Sequence, residues 1–201
     1  GGALVVPYTS TGQEVPVDRS EGRTVTSLGG RPPGQVLDDW LGGALGLQVA
    51  SGGNVLAQTA LRPLGVRHDL ADGQAHYLTV HPAHLHEDGR LDVFARLAPG
   101  TLVCSMQGTE GGLLEALDDL LDRALAAGGL APEQVSAGVL IYCAGCSAVV
   151  GNALSQGIRD HLGRRLGGAQ LLGLCTFGEQ GHVASLGNVH QNLALGLVLL
   201  A

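Results

Sequence analysis

Residues 139–181 constrain the fold most, because they read in order as an apolar strand, a glycine turn, a helix and a second apolar strand. Val139, Leu140, Ile141 and Tyr142 form a run too short for a helix and rich in β-branched and aromatic side chains, as a buried strand requires. Cys143 closes that strand and Gly145 permits a sharp turn. Ser147 is then placed to cap a helix whose apolar ladder is Val150, Leu154, Ile158 and Leu162, four residues apart on one face. Arg159, Arg164 and Arg165 gather at its C-terminal end, where cations suit the helix dipole, and Gly167-Gly168 stops it. Residues 171–176 read as the second buried strand, left through the loop Phe177-Gly178-Glu179-Gln180-Gly181. Strands joined by a helix pair in parallel and end at one edge of the sheet. The expectation is a rim that gathers Cys143, Cys146, Cys175, Thr176, Phe177 and Glu179, at the edge where open α/β sheets bind ligands.

Composition narrows the function classes. A chain of 201 residues can bury a core, as one domain or as one domain and part of another. Its net charge of -7 argues against a nucleic-acid partner. There is no lysine, which removes Schiff-base chemistry, pyridoxal phosphate anchoring and the P-loop lysine together. No apolar run approaches the roughly 20 residues of a membrane span. The four cysteines, at 104, 143, 146 and 175, sit at strand ends and not in loop-rich spacing, which predicts reduced thiols in a cytoplasmic protein. With Gly1 first and Met106 its only methionine, the sequence reads as part of a longer protein.

The remaining elements follow in order. Residues 2–6 and 24–27 are strand candidates, and Pro32-Pro33 opens a helix through Val36, Leu37, Trp40 and Leu41. Residues 45–64 read as mixed helix and loop. Three strands, 75–81, 91–97 and 101–106, are separated by Asp88-Gly89 and Pro99-Gly100 and read as an antiparallel meander. Thr109 caps a helix with Leu113, Leu114, Leu117, Leu120, Leu121 and Leu125 in one stripe, while Glu115, Asp118, Asp119 and Asp122 cover the solvent side. Residues 183–186 and 193–200 are predicted to close the fold as strands around a polar turn at 187–192. The sum is an α/β, mixed α+β class: a layered mixed sheet of about seven strands with covering helices. Residues 1–30 look like the tail of another, truncated domain, and 31–201 like the domain proper.

Several groups could carry chemistry. Cys143-Ala144-Gly145-Cys146 is a C-x-x-C where a strand meets a helix, a setting for disulfide exchange by a thiol oxidoreductase or for buried, pocket-lining thiols. A redox enzyme of the thioredoxin kind would face a cis-proline from a later strand, and no proline follows Pro132. His81, His84 and His86 lie at a strand end beside Pro82, either as metal ligands or as solvated side chains. Glu179 lies between Gly178 and Gly181, whose bare backbone admits a small ligand. The carboxylate either holds a ligand's amino group or satisfies amides of its own loop. His190 and Asn192 are the last polar pair beside apolar segments, as ligand contacts or as structural groups. No G-x-S-x-G, H-E-x-x-H, G-x-G-x-x-G or P-loop motif is present.

At LIYCAGC, LLGLCTFGEQG and NVHQNLALGLVLL the chain resembles the C-terminal half of the FIST family, named for F-box and intracellular signal transduction proteins. The family pattern of Cys-x-Gly, Thr-x-Gly-Glu and His-x-Asn corresponds here to Cys143-Ala144-Gly145, Thr176-Phe177-Gly178-Glu179 and His190-Gln191-Asn192. Many members carry arginine after Cys-x-Gly, where this chain has Cys146. The resemblance implies a non-enzymatic sensory domain that recognises a small molecule such as an amino acid and works with the family's N-terminal half and with signalling partners. It places the ligand among Cys143, Gly145, Cys146, Thr176, Phe177, Gly178, Glu179, Gly181, His190 and Asn192, with no cofactor required. Haem-binding nitric oxide sensors among bacterial relatives make His190 the first axial-ligand candidate.

Overall fold

A computed structural model describes residues 1–70, 73, 75–183 and 186–201. The chain divides into two compact units, 8–107 and a second made of 1–7 with 108–201. The expected boundary at residue 30 does not coincide with this division. Strand β1 (Gly2–Val5) belongs with the C-terminal unit, while β2 (Thr9–Glu21) and β3 (Thr24–Leu28) belong with the central one.

In the 8–107 unit, α1 (Pro33–Trp40) starts with proline at its first position, and α2 (Gly46–Ser51), β4 (Gly53–Asn54) and α3 (Leu56–Thr59) make up the small-residue stretch. Strands β5 (Leu64–Asp69), β6 (Ala75–Val80), β7 (Pro82–Leu85), β8 (Leu91–Val93) and β9 (Leu102–Gln107) follow. Among the described residues these strands form an antiparallel eight-stranded sheet in the order β4-β7-β8-β3-β2-β9-β5-β6. The strands expected as a meander are therefore not neighbours. Long β2 pairs with β9 through its first half, with one register shift, and with β3 through its second, with two. That strand escapes sequence reading because its alternation is almost wholly polar and most of it is exposed or half-buried. The core gathers Val17, Val25, Leu28, Leu37, Leu64, Leu85, Leu91 and Val103 among others.

The C-terminal unit is built on α4 (Glu110–Gly128), where Thr109 accepts the Gly112 amide at 3.0 Å as the sequence leads one to expect, and Gly129 ends the helix in the left-handed conformation. Strand β10 (Ala137–Cys143) leads into α5 (Ala144–Val150). After α6 (Ala153–Ile158) a π turn, Arg159–Gly163, and α7 (Arg164–Leu166) complete the crossover to β11 (Gln170–Thr176). The crossover is thus not one helix capped by Ser147. Cys143 occupies the N-cap position, and Gly151, with φ of 53°, breaks the ladder between Val150 and Leu154.

Strand β12 (Glu179–Val183) and β13 (Gly187–Gln191) form a two-stranded antiparallel hairpin before β14 (Leu195–Leu200). The expected strand at 183–186 includes Ala184 and Ser185, which lie outside the described residues; the expected polar turn at 187–192 is mostly the strand β13. The main sheet of this unit has the order β1-β14-β10-β11, with β10 and β11 parallel and the other pairs antiparallel. The class is α+β, as the sequence indicated, but in place of one mixed sheet of about seven strands the described residues form three sheets, of four, two and eight strands. Helix α4 packs on β1 and β14 and buries Leu113, Leu117, Leu120 and Leu121. Gly157 of α6 permits close approach, since a Cβ there would lie 2.8 Å from Leu114 of α4. A further reading of the strands changes: β11 is not buried. Among the described residues it is an edge strand paired with β10 alone, and Leu172 and Leu174 stand 58% and 45% exposed.

Candidate functional site

The parallel pair delivers its two ends together. In the register of β10 and β11, Tyr142 lies opposite Cys175 and Cys143 opposite Thr176. The chain leaves β11 through Phe177, which is 91% exposed, and turns at Gly178, where φ is 82°. A side chain at 178 would be strained by that backbone and would also meet His190 Nε2, 2.8 Å from its Cβ, so glycine is required there for two separate reasons. The turn returns Glu179 into the protein at the start of β12, opposite Gln191.

Glu179 is buried, at 1% exposure, and its carboxylate is held from several sides. The Thr176 hydroxyl donates to Oε1 at 2.9 Å, the Ala194 amide donates to Oε2 at 3.4 Å, and the Cys143 thiol bonds the same carboxylate. Burial pushes the Glu179 carboxyl above its ordinary value, and the hydrogen bonds from Thr176, Ala194 and Cys143 offset part of that rise. The partners seen are the Thr176 hydroxyl and an amide fifteen residues on, at Ala194, and both lie outside the 177–181 loop whose amides the sequence offered. A raised folded pKa means that the fold gains relative stability as pH falls through that pKa toward the unfolded value of 4.5, and loses it as pH rises. Glu179→Gln is therefore expected to flatten the stability of the C-terminal unit across the mildly acid range, read as melting temperature against pH. A profile parallel to wild type would mean that the carboxylate is not the titrating group.

Cys143 and Cys146 are buried, at 5% and 0% exposure; none of the four cysteines is in a disulfide, and of the four Cys175 is exposed. A hydrogen bond from the Cys146 thiol holds the Cys143 thiol below its ordinary value, against its burial and the charge of Glu179. Of the six residues expected at the rim, Cys143, Cys146, Thr176 and Glu179 come together, whereas Phe177 stands in solvent and Cys175, one residue before Thr176 on β11, is exposed on the other face of the strand. Gly145 sits in α5, half-buried, and Gly181 packs against Leu4. His190 is exposed on β13, opposite Gln180. Asn192 is buried in the turn before β14. In that turn Leu193, fully buried, has φ of 55°, the one positive value outside glycine among the described residues. Such strain persists only where surroundings over-determine it, and here the next residue, Ala194, bonds Glu179.

Sequence reasoning missed a cavity of about 380 Å³ on the helix side of β10 and β11, lined by Leu140, Tyr142, Asn152, Ser155, Ile158 and Cys175 among others. None of the residues singled out above as ligand contacts lines it. The signal was the alternation itself: Tyr142 and Cys175 precede Cys143 and Thr176 on their strands, so their side chains point to the opposite face. Tyr142 is anchored there by its hydroxyl, which donates to the Leu113 carbonyl at 2.9 Å. In the other unit His86 Nε2 lies 2.9 Å from Asp92 and its ring 5.1 Å from that of His84. Among the described residues no group of three or more His, Cys, Asp or Glu side chains could hold a metal ion. No helix among them is long and apolar enough to cross a membrane.

Comparison with curated proteins and with solved structures returns no match. Comparison with protein families matches residues 34–182 to the FIST C domain. That match covers most of the chain and contains the Cys143 to Glu179 rim, and the chain therefore belongs to the FIST C domain family, a family of sensory domains in signal transduction.

Proposed function

We propose that this domain senses a small amphipathic metabolite, amino acids with apolar side chains among them, bound in the cavity against β10 and β11. The cavity carries the reading. Its volume of about 380 Å³ falls within the range of small-molecule sites. Leu140, Leu154, Ile158 and Leu174 supply apolar wall, while Asn152, Ser155 and Cys175 supply polar atoms. No charged side chain is among its described lining, so a zwitterion would bury its side chain and leave its charged groups hydrated at the open mouth. The rim adjoins it through Tyr142-Cys143 and Cys175-Thr176, which gives ligand occupancy a direct route to the Glu179 network and from there to a signalling partner.

The test is a thermal-shift panel of amino acids and small neutral metabolites on wild type and Gly173→Leu. A Cβ at Gly173 meets no atom within 4 Å, so a side chain can start there, and leucine is chosen to occupy the cavity mouth. A ligand at about 100 times its Kd is expected to stabilise wild type by about 2.7 kcal/mol and the variant far less. Equal shifts in both proteins would place the ligand elsewhere. No shift across the panel would remove these ligand classes.

A further inference from the structure

The C-x-x-C is not accounted for by a ligand in the cavity. Cys143 ends β10 and Cys146 lies in the first turn of α5, three residues on. Their thiols are hydrogen-bonded to each other, and the far side of Cys143 meets the Glu179 carboxylate. With Cys143 at the N-cap and Cys146 in the first turn, the two stand in the C-x-x-C arrangement at a helix start that supports reversible disulfide formation. We infer that Cys143 and Cys146 form a reversible dithiol–disulfide pair, a redox modification site with Glu179 as its proton acceptor. This site does not rest on the ligand proposed above.

Cys104 provides an internal contrast. It is buried too, but its thiol donates to the Gly65 carbonyl at 3.3 Å and burial raises its pKa, the condition of an inert structural cysteine. Cys143 is instead held low despite its burial, by the Cys146 bond and the amides of Gly145 and Cys146. With so little exposed surface the pair admits only a small oxidant, and hydrogen peroxide is the class we name.

Glu179 takes the Cys143 proton, and the thiolate attacks a peroxide oxygen. The O–O bond breaks, the departing hydroxide takes the proton from Glu179 as water, and Cys143 is left as sulfenic acid. The Cys146 sulfur then attacks the Cys143 sulfur, and the S–O bond breaks. The leaving hydroxide takes the Cys146 proton as a second water. Two thiols are oxidised to one disulfide and one peroxide is reduced to two waters.

The test treats the folded chain with a small molar excess of peroxide, alkylates the remaining thiols under denaturing conditions, and maps peptides by mass spectrometry. The expected product is a Cys143–Cys146 link that dithiothreitol reverses, with Cys104 still alkylated. Cys146→Ser should stop at a dimedone-reactive Cys143. Glu179→Gln should slow the link by about tenfold or more at neutral pH. Alkylation of both Cys143 and Cys146, with oxidation confined to the exposed Cys175, would overturn the inference. A wild-type rate in Glu179→Gln would overturn the role given to the carboxylate.

Discussion

Acidification from pH 6.5 to about 4 is expected to cost the 8–107 unit about 3 kcal/mol through one side chain, His81, whose folded pKa is lowered from 6.5 to about 4. His81 is 6% exposed and its Nε2 lies 3.1 Å from the Leu56 carbonyl, a bond that neutral imidazole makes as a donor. Burial disfavours the charged ring and outweighs the carbonyl, which would favour it. Because the folded pKa is depressed, the contribution is complete above pH 6.5. It is lost as pH falls, since the unfolded chain takes the proton first, and the loss is complete below about pH 4. Trp40, the single tryptophan, lies in this unit, so urea midpoints followed by its fluorescence report the loss. His81→Gln keeps a donor for Leu56 and removes the titration, and should flatten the profile. An equal acid loss in that variant would assign it to other groups.

The second large effect belongs to α4. Leu117→Ala should destabilise the C-terminal unit by about 3 kcal/mol, because Leu117 is fully buried and its neighbours along the stripe, Leu113, Leu120 and Leu121, are buried with it. A lower urea midpoint by circular dichroism, with an unchanged m-value, is the expected result. A cost well under 1 kcal/mol would mean that the helix shifts to refill the space.

These two residues were legible in the sequence to different degrees. The leucine stripe of α4 repeats at the helical period over 19 residues, and its cap and its glycine stop agree with it. Its acidic face was only half understood. Asp118 and Asp122 pair with His161 and Arg165 of the crossover, contacts between residues 43 apart that no local pattern encodes. His81 was noticed as a polar side chain at a strand end, yet its burial is a tertiary outcome, and the carbonyl its ring meets belongs to Leu56 of α3, 25 residues away. Likewise the crossover was visible as a unit, while its break at Gly151 was hidden by apolar spacing that continued past it.

By itself the sequence determined the α+β class, the parallel pair β10 and β11, the common rim of Cys143, Thr176 and Glu179, and the family, because strand runs, helix stripes and turn residues act over a few residues. Tertiary structure decided which strands lie at an edge, why Glu179 faces inward, and where a ligand has room. Those outcomes depend on which distant surfaces meet: among the described residues no strand pairs beyond β11, Glu179 is held by an amide fifteen residues on, and the cavity is walled by residues 151–158 on one side and by Tyr142 and Cys175 of the sheet on the other.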